Sequence, residues 1–278
     1  VLVTEHKISV QVNDAAPVSI DGVAPVWFER ALKYARLRKN ILLVGPAGAG
    51  KTYGAEMIAK SLDLPFYRVS LSGGTDEGVL QGWLLPIGVN GQFEYVESVV
   101  SHAYEHGGVL LLDELDAADN NAILLTNAIM DNGHWMIPLR HLRPQLTKHK
   151  DFIVIAAANT HGHGANRVYA GRNQLDGATL DRFRCMQINC DYDETMESNL
   201  FDSQAVKYGQ RLRARCRDIS GWTRDVSTRN IQDVHDLVTS GAFTIDQAWY
   251  SFFSDWNAQE LGRVSIVIDH GNETAVLY

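Results

Sequence analysis

The stretch ILLVGPAGAGKT, residues 41–52, decides the fold, because an uninterrupted apolar run leads directly into a glycine-rich loop. Residues 45–52 fit the pattern GxxxxGK followed by Ser or Thr, in which the backbone curls so that successive N–H groups point at phosphate oxygens. Lys51 should bind the β- and γ-phosphates, and Thr52 should offer its hydroxyl to magnesium. The positive end of the helix that begins near Lys51 adds to this anion site. The stretch therefore predicts a nucleotide-binding loop made of Gly45, Pro46, Ala47, Gly48, Ala49, Gly50, Lys51 and Thr52.

Two carboxylates end the next long apolar run, VLLL at 109–112, which continues into Asp113 and Glu114. Beside a phosphate loop, Asp113 is suited to hold the magnesium shell and Glu114 to polarise the water that attacks the γ-phosphate. The alternative is that both are solvated acids at the end of a strand. Asp116 and Asp119 follow closely and are interpreted as helix caps or surface charges.

A third apolar run, IVIAAA at 153–158, ends in Asn159. A polar side chain there lies between the active ends of neighbouring strands. Asn159 is therefore predicted either to orient the attacking water or to sense the γ-phosphate. The alternative is an asparagine in an ordinary strand-to-loop turn.

Arg182 lies in the stretch LDRF, further along the chain. A guanidinium group is always charged and suits the spreading charge of a phosphoryl-transfer transition state. Its position lies too far along the sheet to reach its own nucleotide easily, so we predict that it reaches the nucleotide of a neighbouring subunit. A surface ion pair with Asp181 or Asp176 is the alternative.

The alternation of strands and helices predicts an α/β fold with a mostly parallel sheet. Strands are expected at 41–44, 66–70, 109–112 and 152–157, with ligands at their carboxyl ends. Helices dominate after residue 190, at 193–217, 227–240 and 244–257, and a last strand is expected at 263–268. The predicted organisation is a lead-in of strand and turn at 1–24, a nucleotide-binding domain at 25–190, and a small helical lid domain with a C-terminal strand and tail at 191–278.

Arg229 lies in the first turn of a helix that Ser227 is expected to cap. A cation at this end opposes the helix dipole, so an anion should compensate it. That anion is either a γ-phosphate or one of Asp225 and Asp233. Arg224 is an equally plausible phosphate sensor.

Five motifs in this order resemble the AAA+ ATPases: GPAGAGKT, LLLDELD, AAANT, NQLDGATLDRF and the STR at 227–229. Within that family the chain looks most like the MoxR branch, near the CobS, CbbQ and NorQ proteins, over roughly residues 25–241. The resemblance implies Walker A and Walker B motifs that bind ATP and Mg²⁺, and a hexameric ring that remodels a protein partner. It also implies that Asn159 is sensor 1, Arg182 the finger that acts in trans, and Arg229 sensor 2.

Two inserts fit the same branch, a hairpin at 86–98 around Asn90-Gly91 and a second insert at 133–151. Similar proteins place both near the central opening of the ring, so exposed aromatic and apolar side chains there are candidate contacts to a partner, although each alone more often packs in the core. These candidates are Phe93, Tyr95, Trp135 and Met136. The second insert is basic, with Arg140, His141, Arg143, Lys148, His149 and Lys150. This leaves a nucleic-acid motor or clamp as an alternative function, and an ATP-gated switch with negligible turnover as a third.

Composition limits the other function classes. The chain has 278 residues and a formal net charge of −8, which disfavours attachment of the whole surface to nucleic acid or anionic lipid. Its apolar runs are far shorter than the roughly 20 residues that span a bilayer. The three cysteines form no CxxC pair and no signal-peptide pattern is present, which predicts a reducing cytoplasm. His161 and His163 have no third ligand at a suitable spacing, so zinc is not expected.

Overall fold

The computed structural model describes residues 7–10, 18–21, 23–87, 91–131, 133–166, 168–264, 266–269 and 274–277. The chain divides into two compact units. The first is Val1–Pro46 with Gly50–Cys190, and the second is Ala47–Ala49 with Asp191–Tyr278. Among the described residues, no helix combines the length and the apolar character needed to cross a membrane.

The strands of the first unit are, in chain order, β1 (Lys7–Val10), β2 (Val18–Asp21), β3 (Ile41–Val44), β4 (Phe66–Ser70), β5 (Trp83–Leu85), β6 (Glu94–Val96), β7 (Gly108–Asp113), β8 (His134–Met136), β9 (Gln145–Thr147), β10 (Phe152–Ala158) and β11 (Gln187–Asn189). Its helices are α1 (Phe28–Arg36), α2 (Lys51–Ser61), α3 (Glu77–Gln81), α4 (Val99–His106), α5 (Asn120–Met130) and α6 (Gly177–Asp181). The second unit contains α7 (Glu194–Leu200), α8 (Ser203–Asp218), α9 (Thr228–Thr239), α10 (Ile245–Phe252), α11 (Ala258–Val264), β12 (Ile266–Asp269) and β13 (Thr274–Leu277).

A five-stranded sheet with the order β11-β3-β10-β7-β4 forms the centre of the first unit. All of its pairings are parallel. Every residue of β3, β7 and β10 is buried, as expected for continuous apolar strands that are covered on both faces. The predicted α/β fold with a mostly parallel sheet is therefore confirmed. Because β10 pairs with both β3 and β7, the carboxyl ends of these three strands lie side by side.

Both inserts contain antiparallel strand pairs. β5 pairs with β6, so an antiparallel pair is present at the first insert, but its first strand, Trp83–Leu85, lies before the predicted range 86–98. Asn90 of the predicted turn lies outside the described residues. β8 pairs with β9, and this second pair packs into the core. Trp135 is 3% exposed and meets the ring of Tyr104 edge-on at 5.7 Å. The idea that Trp135 contacts a partner is therefore wrong, whereas Met136, the next residue, faces outward.

The other residues of the inserts that were candidates for contact with a partner also differ in their exposure. Phe93 is 64% exposed. Tyr95 is half-buried and its hydroxyl donates to the carbonyl of Gln81 at 2.5 Å. Arg140 pairs with Glu105 at 2.9 Å instead of extending into solvent.

The second unit is helical, and its helix starts follow the predicted caps. The hydroxyl of Ser227 accepts from the amide of Asn230, and Thr244 accepts from Gln247, each in a capping box. The helix expected at 193–217 is two helices, because Asp202 caps a new one by accepting from the amides of residues 204 and 205. Likewise, the predicted final strand begins only at Ile266, since α11 continues to Val264.

Candidate active site

The glycine-rich loop connects β3 to α2 and is shaped by close backbone contacts. A Cβ atom on Gly45 would lie 1.7 Å from the carbonyl oxygen of Cys190, so only glycine fits there. Gly48 and Gly50 have φ angles of 78° and 74°, in the left-handed region that favours glycine. The N-cap residue of α2 is Gly50, which has no side chain to cap the first turn of the helix that begins at Lys51. Its N–H groups are therefore placed to bind an anion.

Lys51 is buried at the start of α2, and its ammonium group donates to three oxygens. These are the carbonyls of Gly45 at 2.7 Å and Pro46 at 2.9 Å, and Oδ1 of Asn159 at 2.9 Å. Burial lowers the pKa of Lys51, while Cys190, Asp113 and Asp116 act in the opposite direction and Arg172 adds to the lowering. The contact with Asn159 joins the loop after β3 to the end of β10, as the order of strands requires.

Asp113 ends β7 and is almost completely buried. Its Oδ2 accepts from the hydroxyl of Thr52 at 3.3 Å, and its Oδ1 accepts from the amide of Glu114 at 3.1 Å. A hydroxyl and a carboxylate are the hard oxygen donors that Mg²⁺ prefers, so Thr52 and Asp113 fit the predicted magnesium site. The sequence did not reveal Arg68, whose Nη2 also donates to Oδ2 of Asp113 at 2.8 Å. Half of the Arg68 side chain is exposed. Its guanidinium can therefore move into solvent when a cation binds Oδ2 of Asp113.

Glu114 follows β7 in a left-handed backbone conformation, with φ 59° and ψ 40°. This conformation is uncommon for a residue other than glycine. It places the side chain of Glu114 half in solvent, 3.5 Å from Nη1 of Arg172. Glu114 is thus accessible to water, whereas Asp113 is not.

Asp116 is fully buried, so its interpretation as a cap or surface charge is wrong. Its Oδ2 accepts from the amide of Asn159 at 3.0 Å and from both the amide and the hydroxyl of Thr160 at 2.8 Å. Asp116 therefore holds the turn that carries Asn159. Asp119 caps α5 by accepting from the amide of residue 122, as expected.

Arg182 lies at the end of α6 and forms a bidentate ion pair with Asp131, with distances of 2.9 and 2.8 Å. Its third nitrogen donates to the carbonyl of Ala178 at 2.8 Å. The hydrogen bond to Asp131 raises the pKa of Arg182. Neither alternative pairing forms, because Asp181 pairs with Arg184 and Asp176 caps α6. The guanidinium is held at a partly exposed position.

The two arginines that compete as sensor in the second unit have different surroundings. Arg224 pairs with Asp255 at 2.6 Å and with Glu260 at 2.8 Å. Arg229 is exposed in the first turn of α9. Among the described residues, it forms no hydrogen bond or ion pair. Arg224 is therefore occupied within its own unit, whereas the side chain of Arg229 is open to solvent.

The histidines His161 and His163 do not form a metal centre with other described residues. His161 contacts the side-chain amide of Gln187 at 3.1 Å. Over the part of the chain that the structure describes, no group of three or more His, Cys, Asp or Glu side chains could hold a metal ion.

The model of the AAA domain family, dynein-related subfamily, matches residues 40–183, which is just over half of the chain. An uncharacterized protein of Staphylococcus haemolyticus is 28% identical over 229 residues, covering 76% of this chain and 82% of its own length. An uncharacterized protein of Staphylococcus epidermidis is 29% identical over 227 residues with the same coverage. A crystal structure of a candidate ATPase from Cytophaga hutchinsonii shares 19% identity with a TM-score of 0.47, over 86% of this chain and 67% of that one.

Proposed function

We propose that this chain, which belongs to the AAA domain family (dynein-related subfamily), binds ATP with Mg²⁺ and hydrolyses it to ADP and phosphate. The observation that carries the proposal is the triple contact of the Lys51 ammonium with the loop carbonyls and with Asn159. A buried cation held at the meeting point of β3, β10 and a glycine-rich loop is suited to a polyanionic ligand.

The roles we assign follow from burial and hydrogen bonding. The loop N–H groups and Lys51 bind phosphate oxygens, and Thr52 and Asp113 hold magnesium, which neutralises charge on the phosphates when bound. Glu114, the exposed carboxylate, accepts a hydrogen bond from the attacking water. Since Oδ1 of Asn159 accepts from Lys51, its amide nitrogen is the group that can donate to the γ-phosphate or to that water.

We further propose a ring of about six subunits in which Arg182 reaches the nucleotide of the next subunit. The partial exposure of Arg182 supports this role, and its ion pair with Asp131 would have to open for the guanidinium to bind a neighbour's phosphate. Arg229, which has no partner among the described residues, is assigned as the second sensor of phosphate. A head-to-tail contact of this kind closes into a ring. The proposed use of the ring, in the manner of the MoxR branch, is to remodel a protein partner in the cytoplasm.

The nucleic-acid alternative has less support than it had from sequence. Arg140 is paired with Glu105. Burial lowers the pKa of Lys148, whose ammonium lies 5.7 Å from the ring of Phe152. Two of the basic residues of the second insert, Arg140 and Lys148, thus interact with other residues of the first unit and are less available to bind phosphates. A labelled single strand that binds at low salt, and no longer binds when Arg143 and Lys150 are changed to Ala, would revive this alternative.

Steady-state phosphate release tests the activity. We expect Glu114→Gln to lower the rate by at least about a hundredfold, the lower range of general-base contributions, while its nucleotide affinity is kept. Glu29→Gln is the matched control, since Glu29 is an exposed carboxylate that pairs with Lys33 on α1. Equal release by wild type and Glu114→Gln would contradict the proposal and favour a switch with negligible turnover.

A second pair of variants tests the phosphate loop, because α2 carries two lysines with opposite surroundings. Lys51→Ala should abolish binding of a fluorescent ATP analogue. Lys60→Ala, which removes an exposed lysine paired with Glu56, should leave it unchanged.

The solution mass of Glu114→Gln with and without ATP and magnesium tests the ring. A mass near six subunits that needs ATP supports the trans role of Arg182. A monomer under every condition contradicts it.

A further inference from the structure

We propose that Arg172, a residue that no sequence motif identified, is the positioning residue for the carboxylate of Glu114. Its role is to hold Glu114 where it can polarise water. This inference rests on the proposed ATP hydrolysis, and it assigns Arg172 no direct contact with the nucleotide.

Arg172 lies between two carboxylates of the turn that follows β7. Its Nη1 is 3.5 Å from Oε2 of Glu114 and 3.4 Å from Oδ1 of Asp116. Only 13% of the Arg172 side chain is exposed, and its guanidinium lies 6.0 Å from the centre of the Tyr169 ring. The Asp116 side chain is fully buried, and buried ion pairs are screened much less than exposed ones. The position of the guanidinium is therefore well determined.

Glu114 needs such a partner. Its left-handed backbone is fixed by the hydrogen bond from its own amide to Asp113, but this bond does not restrict the side chain. Among the described residues, Arg172 is the one that pairs with the Glu114 carboxylate. Without it, a half-exposed glutamate would be free to rotate among several rotamers.

The backbone next to Arg172 is attached to the same turn. The amide of Asn173 donates to the carbonyl of Asp116 at 2.6 Å, and its side-chain amide donates to the carbonyl of Ala118 at 2.8 Å. Asp116 in turn holds the amides of Asn159 and Thr160. Arg172 thus connects the residue that polarises water to the residue proposed to sense the γ-phosphate. Misplacement of a reacting group by about 1 Å can cost on the order of a hundredfold in rate.

The experiment compares Arg172→Met and Arg172→Lys with a matched control, Arg38→Met. Arg38 also pairs with a carboxylate, Asp151, at 2.7 Å. Asp151 directly precedes β10, so this pair lies at the amino end of the parallel strands, opposite the site. Steady-state phosphate release gives kcat and KM, and a fluorescent ATP analogue gives the affinity.

We expect Arg172→Met to lower kcat about tenfold or more with KM and affinity nearly unchanged. Arg172→Lys should recover part of the rate, and the control should equal wild type. In a Glu114→Gln background, Arg172→Met should lower the residual rate no further, because residues that act as a unit are not additive.

Several outcomes would overturn the role of Arg172. They are an unchanged kcat, a raised kcat, a raised KM with normal kcat, or an equal loss of rate in the Glu114→Gln background. If wild type hydrolyses ATP and depends on Glu114 while Arg172→Met is normal, this inference alone fails. If wild type releases no phosphate, the proposed function fails and the role of Arg172 with it.

Discussion

The buried ion pair of the second unit gives the sharpest prediction about stability. Glu197 is fully buried and Arg213 is 2% exposed. Nη2 of Arg213 lies 2.6 Å from Oε1 of Glu197, and Nη1 lies 3.0 Å from Oε2. Thr228 and Gln210 donate to the same two oxygens at 2.6 and 3.1 Å. Both oxygens are therefore satisfied, and the two charges compensate each other away from water.

Glu197→Gln keeps the shape of the side chain and removes its charge. Arg213 then stays buried without a counter-charge, and breaking a buried pair in this way typically costs about 3–5 kcal/mol. This is a large fraction of a domain stability of about 5–15 kcal/mol. With a urea dependence of about 1–3 kcal/mol per molar, the unfolding midpoint should fall by about 1 M or more.

Tryptophan fluorescence during urea unfolding measures this loss, because Trp222, Trp249 and Trp256 all lie in the second unit. The matched control is Glu260→Gln. Glu260 accepts from Arg224 at a similar distance, 2.8 Å, but 28% of the Arg224 side chain and 24% of the Glu260 side chain are exposed, and ion pairs that solvent screens add less to stability than fully buried ones. Equal midpoint shifts for the two variants would refute the reasoning.

A compensating variant separates charge from packing. Glu197→Leu combined with Arg213→Met removes both charges and should be more stable than Glu197→Gln, since apolar replacement of a buried pair is often neutral or favourable. If the double variant is as unstable as the single one, the hydrogen bonds of Thr228 and Gln210 determine the stability rather than the ion pair.

Gly45→Ala should abolish binding of a fluorescent ATP analogue, because its Cβ would overlap the carbonyl of Cys190; Gly74→Ala, with no atom within 4 Å of the added Cβ, is the control. Normal binding by Gly45→Ala would contradict the assigned loop geometry. Arg182→Ala should lose ATPase activity by about 10³-fold or more, and mixing it with Gly45→Ala subunits should restore part of it. Activity that does not return on mixing would argue against action in trans. Iodoacetamide at pH 8 should label exposed Cys185 and spare Cys190, whose burial raises its thiol pKa to about 12. Peptide mass spectrometry checks this, and equal labelling of both would contradict it.

The sheet and the position of the glycine-rich loop between β3 and α2 could be predicted because their signals are local. Continuous apolar runs such as β3 and β10 are typical of strands covered on both faces. The glycines of the loop allow the positive φ angles that its tight turn needs, and such a turn is formed within a few residues. The starts of the helices at Ser227 and Thr244 could also be predicted from the sequence, because a capping box is formed by residues within one turn.

Contacts between distant parts of the chain could not be predicted. Arg182 was expected to pair with a neighbouring acid if with any, yet its partner is Asp131, at the end of another helix. Trp135 and Met136 are adjacent and both apolar, and alternation along a strand does show that they face opposite sides. The alternation does not show which side is the core, and the structure buries Trp135.

The stretch DELD at 113–116 shows why residue type alone underdetermines a site. Its three acids lie within four positions and have three different surroundings. Asp113 is buried beside a hydroxyl, Glu114 is turned outward by its positive φ, and Asp116 is buried to hold the turn of the neighbouring strand. The roles that we propose for them, a metal ligand, a base for water and a structural anchor, therefore depend on what each carboxylate faces. Those facing groups, Arg172 among them, come from segments that follow other strands. Only the order of strands in the sheet brings them together, so a change at Arg172 should affect Glu114 although the two are 58 positions apart in the chain.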